Sequence, residues 1–226
     1  MNATLVARSE LSDGRRAAML ALLQEHFTGV TPETFAADLA EKTWVILLED
    51  ESGRVRGFTT LLDYTSAAAG SPVRVVYSGD TIVAPEARRG SALARVWLET
   101  VKRWLPAAPT PLYWLLITSG HRTYRYLPVF WREFWPRHDA PERPPLLVGL
   151  ARERFGPRYD GSSGIVRLEL PQVLRDLPSG RGRPADPHVA FFRRANPGHA
   201  RGDELVCLCP LTRANQTAAG RRLAAL

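Results

Sequence analysis

Along the first third of the chain, apolar residues recur at the spacing of two amphipathic helices. In residues 12–27, Met19, Leu20, Leu22, Leu23 and Phe27 share one face, and Ser12 or Asp13 can cap the start. A second helix is predicted from Thr31, with Pro32 at its first position, Phe35 and Leu39 inward and an end near Lys42. The period then changes. The apolar run 44–48, the polar Glu49-Asp50-Glu51-Ser52-Gly53 and the run 55–62 predict strand, turn and strand, hence a hairpin. The valine-rich segment 73–83 reads as a long strand, and Gly79 within it marks a bulge or a close approach of another group. Pro85 ends that strand; Leu93, Val96, Trp97, Val101 and Trp104 then form one helical stripe, stopped by Pro106. Residues 111–118 predict a buried strand, and 122–135 a helix kinked at Pro128.

Further on, 144–155 reads as a helix, 164–170 alternates like a strand, and 203–210 is a strand. Its Leu205, Cys207 and Cys209 lie on one face, and Val206 and Leu208 on the other. The segment 171–202 is rich in Pro, Gly and Arg and reads as an insertion with one short helix at 188–194; 213–226 is expected as a peripheral tail. This order predicts one α/β domain over 1–212, a mixed central sheet covered by helices on both faces. Segments 73–83, 93–104 and 112–118 would form a parallel crossover.

Composition adds two constraints. The formal net charge is +7, carried by arginines with only Lys42 and Lys102 as lysines, which favours anionic partners. The arginines are scattered, with no long basic run and no aromatic interleaving, which speaks against a nucleic-acid-binding protein. The only cysteines, Cys207 and Cys209, point the same way along a strand, poor geometry for a mutual disulfide and too few ligands for zinc, so they read as buried thiols. No apolar run approaches the roughly 20 residues of a membrane span, and residues 1–9 lack the basic-then-apolar pattern of a secretion signal, so a cytoplasmic protein is expected.

Candidate chemistry sits where the long strand gives way to a helix: Ile82-Val83-Ala84-Pro85-Glu86-Ala87-Arg88-Arg89-Gly90-Ser91-Ala92-Leu93-Ala94. A helix start presents unpaired backbone N–H groups and the positive end of the helix dipole. Small residues let a pyrophosphate reach those amides, and Arg88 or Arg89 adds a charge that grips phosphate.

These residues resemble the GNAT superfamily of N-acetyltransferases. There a strand ending in Val-x-Pro-Glu leads into a loop of the type Arg-x-x-Gly-x-Gly/Ala that binds the coenzyme A pyrophosphate. Here Val83-Ala84-Pro85-Glu86 and Arg89-Gly90-Ser91-Ala92-Leu93-Ala94 match, with Ala92 where the central glycine is usual and a loop one residue longer. The order of elements over 12–135 matches as well.

The resemblance implies acyl transfer from acetyl-CoA or a longer acyl-CoA to the amine of a small molecule, peptide or protein. Coenzyme A would lie against Arg88–Ala94, in the gap where the long strand splays from the next parallel strand. Backbone N–H groups near Ile82 and Val83 would polarise the thioester carbonyl. Asp80, just before the splay, is the candidate base. Tyr126, or its neighbour Tyr124, is the candidate acid for the leaving thiolate. Where the family often has an asparagine at the start of that helix, this chain has Ser119-Gly120-His121. The aromatic run Tyr124, Tyr126, Leu127, Phe130, Trp131, Phe134 and Trp135 reads as core or as an apolar wall for an acyl chain. The alternative to an enzyme is a non-catalytic module that binds coenzyme A or another protein.

Overall fold

Local rules account for most element boundaries. In the computed structural model, which describes residues 1–68, 70–88, 90–105, 110–175 and 186–225, the Ser12 side chain accepts from the Arg15 amide and starts α1 (Asp13–His26). Thr31 and Thr34 form a reciprocal capping box at the head of α2 (Pro32–Glu41). Ahead of both lies β1 (Asn2–Ala7), and β2 (Phe27–Thr28) links them. The hairpin is β3 (Trp44–Glu49) and β4 (Val55–Ser66); β5 (Val73–Val83), α3 (Ala92–Trp104) and β6 (Leu112–Thr118) follow as predicted.

The expected helix over 122–135 is instead two short ones, α4 (His121–Tyr124) and α5 (Tyr126–Phe130), and the chain beyond them is extended. Pro128 lacks the N–H that would bond the Tyr124 carbonyl, so the ladder breaks there. Trp135 then exchanges backbone hydrogen bonds with Leu208.

The rest comprises α6 (Pro145–Phe155), β7 (Tyr159–Asp160), β8 (Ile165–Val166), β9 (Val173–Leu174), α7 (Pro187–Ala195), β10 (Glu204–Pro210) and α8 (Ala218–Leu223). The strand expected over 164–170 is thus only two residues long. The segment after it leaves the sheet and pairs with β2 through β9. The tail packs in: Asn215 is buried and bonds Glu133 and the Pro210 carbonyl, and α8 lies against α5 so closely that a Cβ on Gly220 would meet the Phe130 carbonyl at 2.9 Å.

Among the described residues, eight strands form one mixed sheet in the order β1-β3-β4-β5-β6-β10-β8-β7. Only β5 and β6 run parallel, joined through α3 by the expected crossover. One face packs Ile46, Leu61, Val76, Trp114, Leu116 and Cys207 under α3, and Phe191 and Phe192 of α7 join that cluster. The opposite face has two patches. Val45, Leu47, Phe58 and Ile82 lie under α1 and α2, while Val75, Tyr77, Leu115, Ile117 and Val206 lie under α6. Cys207 and Cys209 are free and buried. Burial pushes both thiols up, which suits inert core groups. No helix among the described residues is long and apolar enough to cross a membrane.

Candidate functional site

The parallel pairing of β5 with β6 runs from Arg74↔Leu112 only to Ser78↔Leu116. Beyond that point β5 continues to Val83 beside β4, and β6 continues to Thr118 beside β10, so a fork opens in the middle of the sheet. The Trp114 indole N–H donates to Ser78 Oγ at 2.8 Å and clamps the strands just before they part.

At the fork β5 carries a bulge. Thr59 pairs with Thr81 and Leu61 with Ser78, so Gly79 and Asp80 together oppose Thr60. The extra residue reverses the side-chain alternation: Tyr77 and Ile82, five positions apart, both pack on the face of α1, α2 and α6. Asp80 is thereby turned to the α2 side, where Asp38 meets it. Gly79 leaves room for Lys42, whose Cε would lie 3.2 Å from a Cβ there.

The fork's backbone also has a definite polarity. The Ala84 N–H donates to the Arg56 carbonyl at 2.8 Å. By antiparallel alternation the Ile82 N–H therefore faces β4, while the polar groups of Thr81 and Val83 face the gap. Arg88 Nε donates to the Val83 carbonyl at 2.9 Å, on that same gap side. Of the two amides expected at the thioester, Val83's is the one directed into the gap.

One cavity of about 1010 Å³ fills the fork and reaches both ends of it. On one side it is lined by the start of α3, through Arg88, Gly90, Ala92 and Leu93. Ser91 precedes α3 without capping it by its side chain, and the first turn holds no acidic residue, so those amides are available to an anion. Nothing in the described chain requires a glycine at Gly90: a Cβ there would meet only the Ala87 carbonyl, at 3.6 Å. The openness above it suits a bulky phosphate, and these residues fit the pyrophosphate of coenzyme A. Arg89 lies outside the described residues. His121, Arg122, Arg125 and Arg193 line the same side. Burial lowers the His121 pKa, and Arg193 and Arg122 push it further down, so the imidazole is neutral.

The other side is acidic. Asp38, Asp80 and Glu204 line it, with Tyr77 among them. Burial and the nearby Asp38 carboxyl push Asp80 up to about 7 against the pull of Lys42. Burial, then Asp80 and Asp38, push Glu204 up to about 8. Lys42, with 2% of its surface exposed, bonds Asp38 Oδ1 at 2.5 Å. Arg154 pairs with Glu41 and lies over the Tyr77 ring, 5.0 Å from its centre.

The two candidate tyrosines part company. Tyr126 lines the cavity, stacks on Phe130 and keeps its proton, because burial raises its pKa. Tyr124 is fully buried; its hydroxyl donates to the Pro136 carbonyl at 2.9 Å, and its ring packs on Phe134 and Phe192. Phe130, Trp131 and Phe134 are core as well, so Tyr126 is the member of the aromatic run that reaches the cavity. Asp38, Tyr77 and Glu204 carry no sequence signal: an acid on an exposed helix face and one opening a strand both read as solvated surface.

No family model matches the sequence, and no curated protein matches it significantly. Solved structures do match in part, and many are N-acetyltransferases of the GNAT superfamily. One is a GNAT family N-acetyltransferase from Escherichia coli in complex with CoA: 18% identity, 56% of this chain and 68% of that one, TM-score 0.41. An acetyltransferase from Trypanosoma brucei matches at 17% identity over 58% of this chain and 94% of that one, TM-score 0.43. N-acetylglutamate synthase from Neisseria gonorrhoeae, complexed with coenzyme A and N-acetyl-glutamate, shares 12% identity over 94% of this chain but only 36% of that one, TM-score 0.44. The fold class expected from the pattern of elements, a mixed sheet with helices on both faces, is the one the chain has.

Proposed function

We propose that the chain is an acyltransferase that moves an acyl group from acyl-coenzyme A to an amine by direct attack. The carrying observation is that one cavity joins an uncapped helix start and a basic rim to a buried acidic pocket, with the fork of β5 and β6 between them. A polyanionic thioester and a cationic amine are drawn to opposite ends and meet at the fork.

In this reading the pyrophosphate lies on the amides of Ser91, Ala92, Leu93 and Ala94, over Gly90 and with Arg88 beside it; Arg89, expected there from the sequence, lies outside the described residues. The Val83 N–H faces the thioester oxygen and stabilises its negative charge as the tetrahedral centre forms. Asp80, with its pKa near 7, takes the proton from the incoming ammonium. The amine lone pair forms the C–N bond, and the nitrogen of the tetrahedral centre gives its second proton to solvent. The C–S bond breaks with its electron pair going to sulfur, and the Tyr126 hydroxyl gives that sulfur its proton. Solvent then reprotonates the phenolate, and Asp80 returns its proton to water.

The test is release of free thiol from acetyl-CoA, measured with a panel of primary amines. Amine-dependent thiol release that rises with pH through about 7 is expected, because Asp80 must be ionised to act. Binding of coenzyme A without amine-dependent release would return the chain to the non-catalytic alternative.

A further inference from the structure

The acidic end of the cavity is not balanced by the protein's own cations. Asp38 is paired with Lys42, and Glu41 with Arg154. Asp80 and Glu204 line the same pocket, and among the described residues neither forms an ion pair; Glu169, on the segment beyond β8, is exposed at the rim. Arg158 lines the cavity on the Glu41 side. Two carboxyl groups are therefore held in one pocket, near enough for Asp80 to raise Glu204, with Lys42 as the cation acting on Asp80 and itself paired with Asp38. That arrangement is costly unless a cation enters or protons stay bound.

A second, independent feature points to a ligand. Tyr77 is 4% exposed and lines the pocket, yet its hydroxyl has no hydrogen-bond partner among the described residues. Its ring is fixed by Phe155 edge-on and by Lys42 and Arg154 over its faces, so the hydroxyl cannot swing away. A phenol whose ring is buried and fixed while its hydroxyl opens on the cavity without a protein partner is positioned to hydrogen-bond a ligand there.

We propose that the acceptor is a compact amine bearing a second positive charge, seated between Asp80 and Glu204 with the Tyr77 hydroxyl against it. The inference rests on the acyltransferase reading. Asp80 serves the reacting nitrogen and must give up its charge to the proton it takes. Glu204 holds the other cationic group, which keeps its proton throughout. In the empty pocket these carboxyls retain protons at neutral pH, so a dication entering displaces them, and binding is coupled to proton release. Lys42 and Arg154 are already engaged with Asp38 and Glu41, and Arg158 is exposed with its Nε on the Phe155 carbonyl, so they set the background field and none forms an ion pair with Asp80 or Glu204.

Titration calorimetry with 1,4-diaminobutane and with 1-aminobutane, each in two buffers of different ionisation heat, tests the proposal. The diamine is expected to bind at least about tenfold tighter, the effect of one added charge-assisted contact, and to release protons. Glu204→Gln should erase that preference while leaving the monoamine unchanged, and Tyr77→Phe should weaken the diamine with no loss of proton release. Equal affinity of the two amines for the parent protein overturns the proposal whether or not the variants fold. The melting shift caused by coenzyme A is read separately. Its presence without a diamine preference leaves the acyltransferase reading standing and removes this inference; its absence with the preference intact removes the acyltransferase reading, and the pocket is then a dication site rather than an acceptor site.

Discussion

The two ends of the cavity, donor and acceptor in the proposed reading, are built by different means. The donor end is mainly backbone and local sequence: the fork edge of β5, the turn after it and the first turn of α3, all within residues 79–94. The acceptor end is side chains brought from far apart, Asp38 from α2, Tyr77 and Asp80 from β5, and Glu204 from β10. A backbone site has its geometry set by the fold and tolerates many side chains. A carboxyl pocket depends on each residue and on the desolvation their neighbours impose. Substitutions should therefore cost donor binding at the first end, and chemistry or acceptor binding at the second.

The largest effects should come at the chemical centre. Asp80→Asn and Tyr126→Phe should each lower turnover by about 100–10,000-fold, the usual loss of a general base or acid. In both variants the coenzyme A melting shift should persist. Steady-state thiol release together with that shift checks the expectation, and near-parental rates in either variant would remove that residue from the mechanism.

At the donor end, Ala92→Asp should separate binding from folding. A carboxylate in the first turn of α3 interacts favourably with the helix dipole, so the unliganded protein should melt at the same temperature or slightly higher. Its repulsion of a pyrophosphate should abolish the ligand shift, which at a hundredfold excess over Kd is about 2.7 kcal/mol. An unaltered shift in this variant would move the phosphate site away from the α3 start.

Unliganded stability should run opposite to activity at the acceptor end. Burial and their neighbouring carboxyls push Asp80 and Glu204 up in the folded chain, to about 7 and about 8, from ordinary values of 3.8 and 4.5 in the unfolded one. Between those limits the folded state binds more protons, so their contribution is fully present below about pH 4 and is lost as pH rises through about 8. Asp80→Asn or Glu204→Gln should flatten that fall and raise the melting temperature at pH 8. A chemical denaturation series across pH measures it, and an unchanged slope in the double variant would contradict the raised values.

The smallest effect concerns Tyr124. Tyr124→Phe removes one buried hydrogen bond and leaves the Pro136 carbonyl unpaired, a cost of about 1–3 kcal/mol in stability. Turnover should stay at the parental level, in contrast to Tyr126→Phe. A strong loss of rate in a folded Tyr124→Phe protein would reopen the choice between the two.

Much of this architecture is legible in the chain, and the exceptions have physical causes. The segment 73–83 and the helix stripe of α3 are dense in apolar residues at one clear period, so they read directly. β1 has a single strand partner and a short, mixed sequence, so periodicity does not reveal it. The break at Tyr124 follows from a missing hydrogen bond at Pro128, but whether a proline bends or ends a helix depends on what receives the chain afterwards. Here the Trp135–Leu208 backbone pair and the Tyr124–Pro136 bond receive it. The segment after Thr212 looks peripheral because its apolar residues are mostly alanines with no stripe of large side chains; buried Asn215 and Gln216 hold it through polar contacts that no hydrophobic pattern announces.

Sequence alone determined the crossover, the small-residue turn into α3 and the presence of Asp80 on the strand before it, because these depend on neighbours a few residues apart. Gly79 announced the bulge, but its consequence lay in the sheet: one extra residue against Thr60 turned Asp80 to the face of α2. Only the tertiary structure decided that Asp38 and Glu204, far from Asp80 in the chain, share its pocket, and that Tyr126 reaches the cavity while Tyr124 does not. Charge proximity and burial are properties of packed neighbours in space. The same acids in the extended chain are ordinary solvated carboxylates.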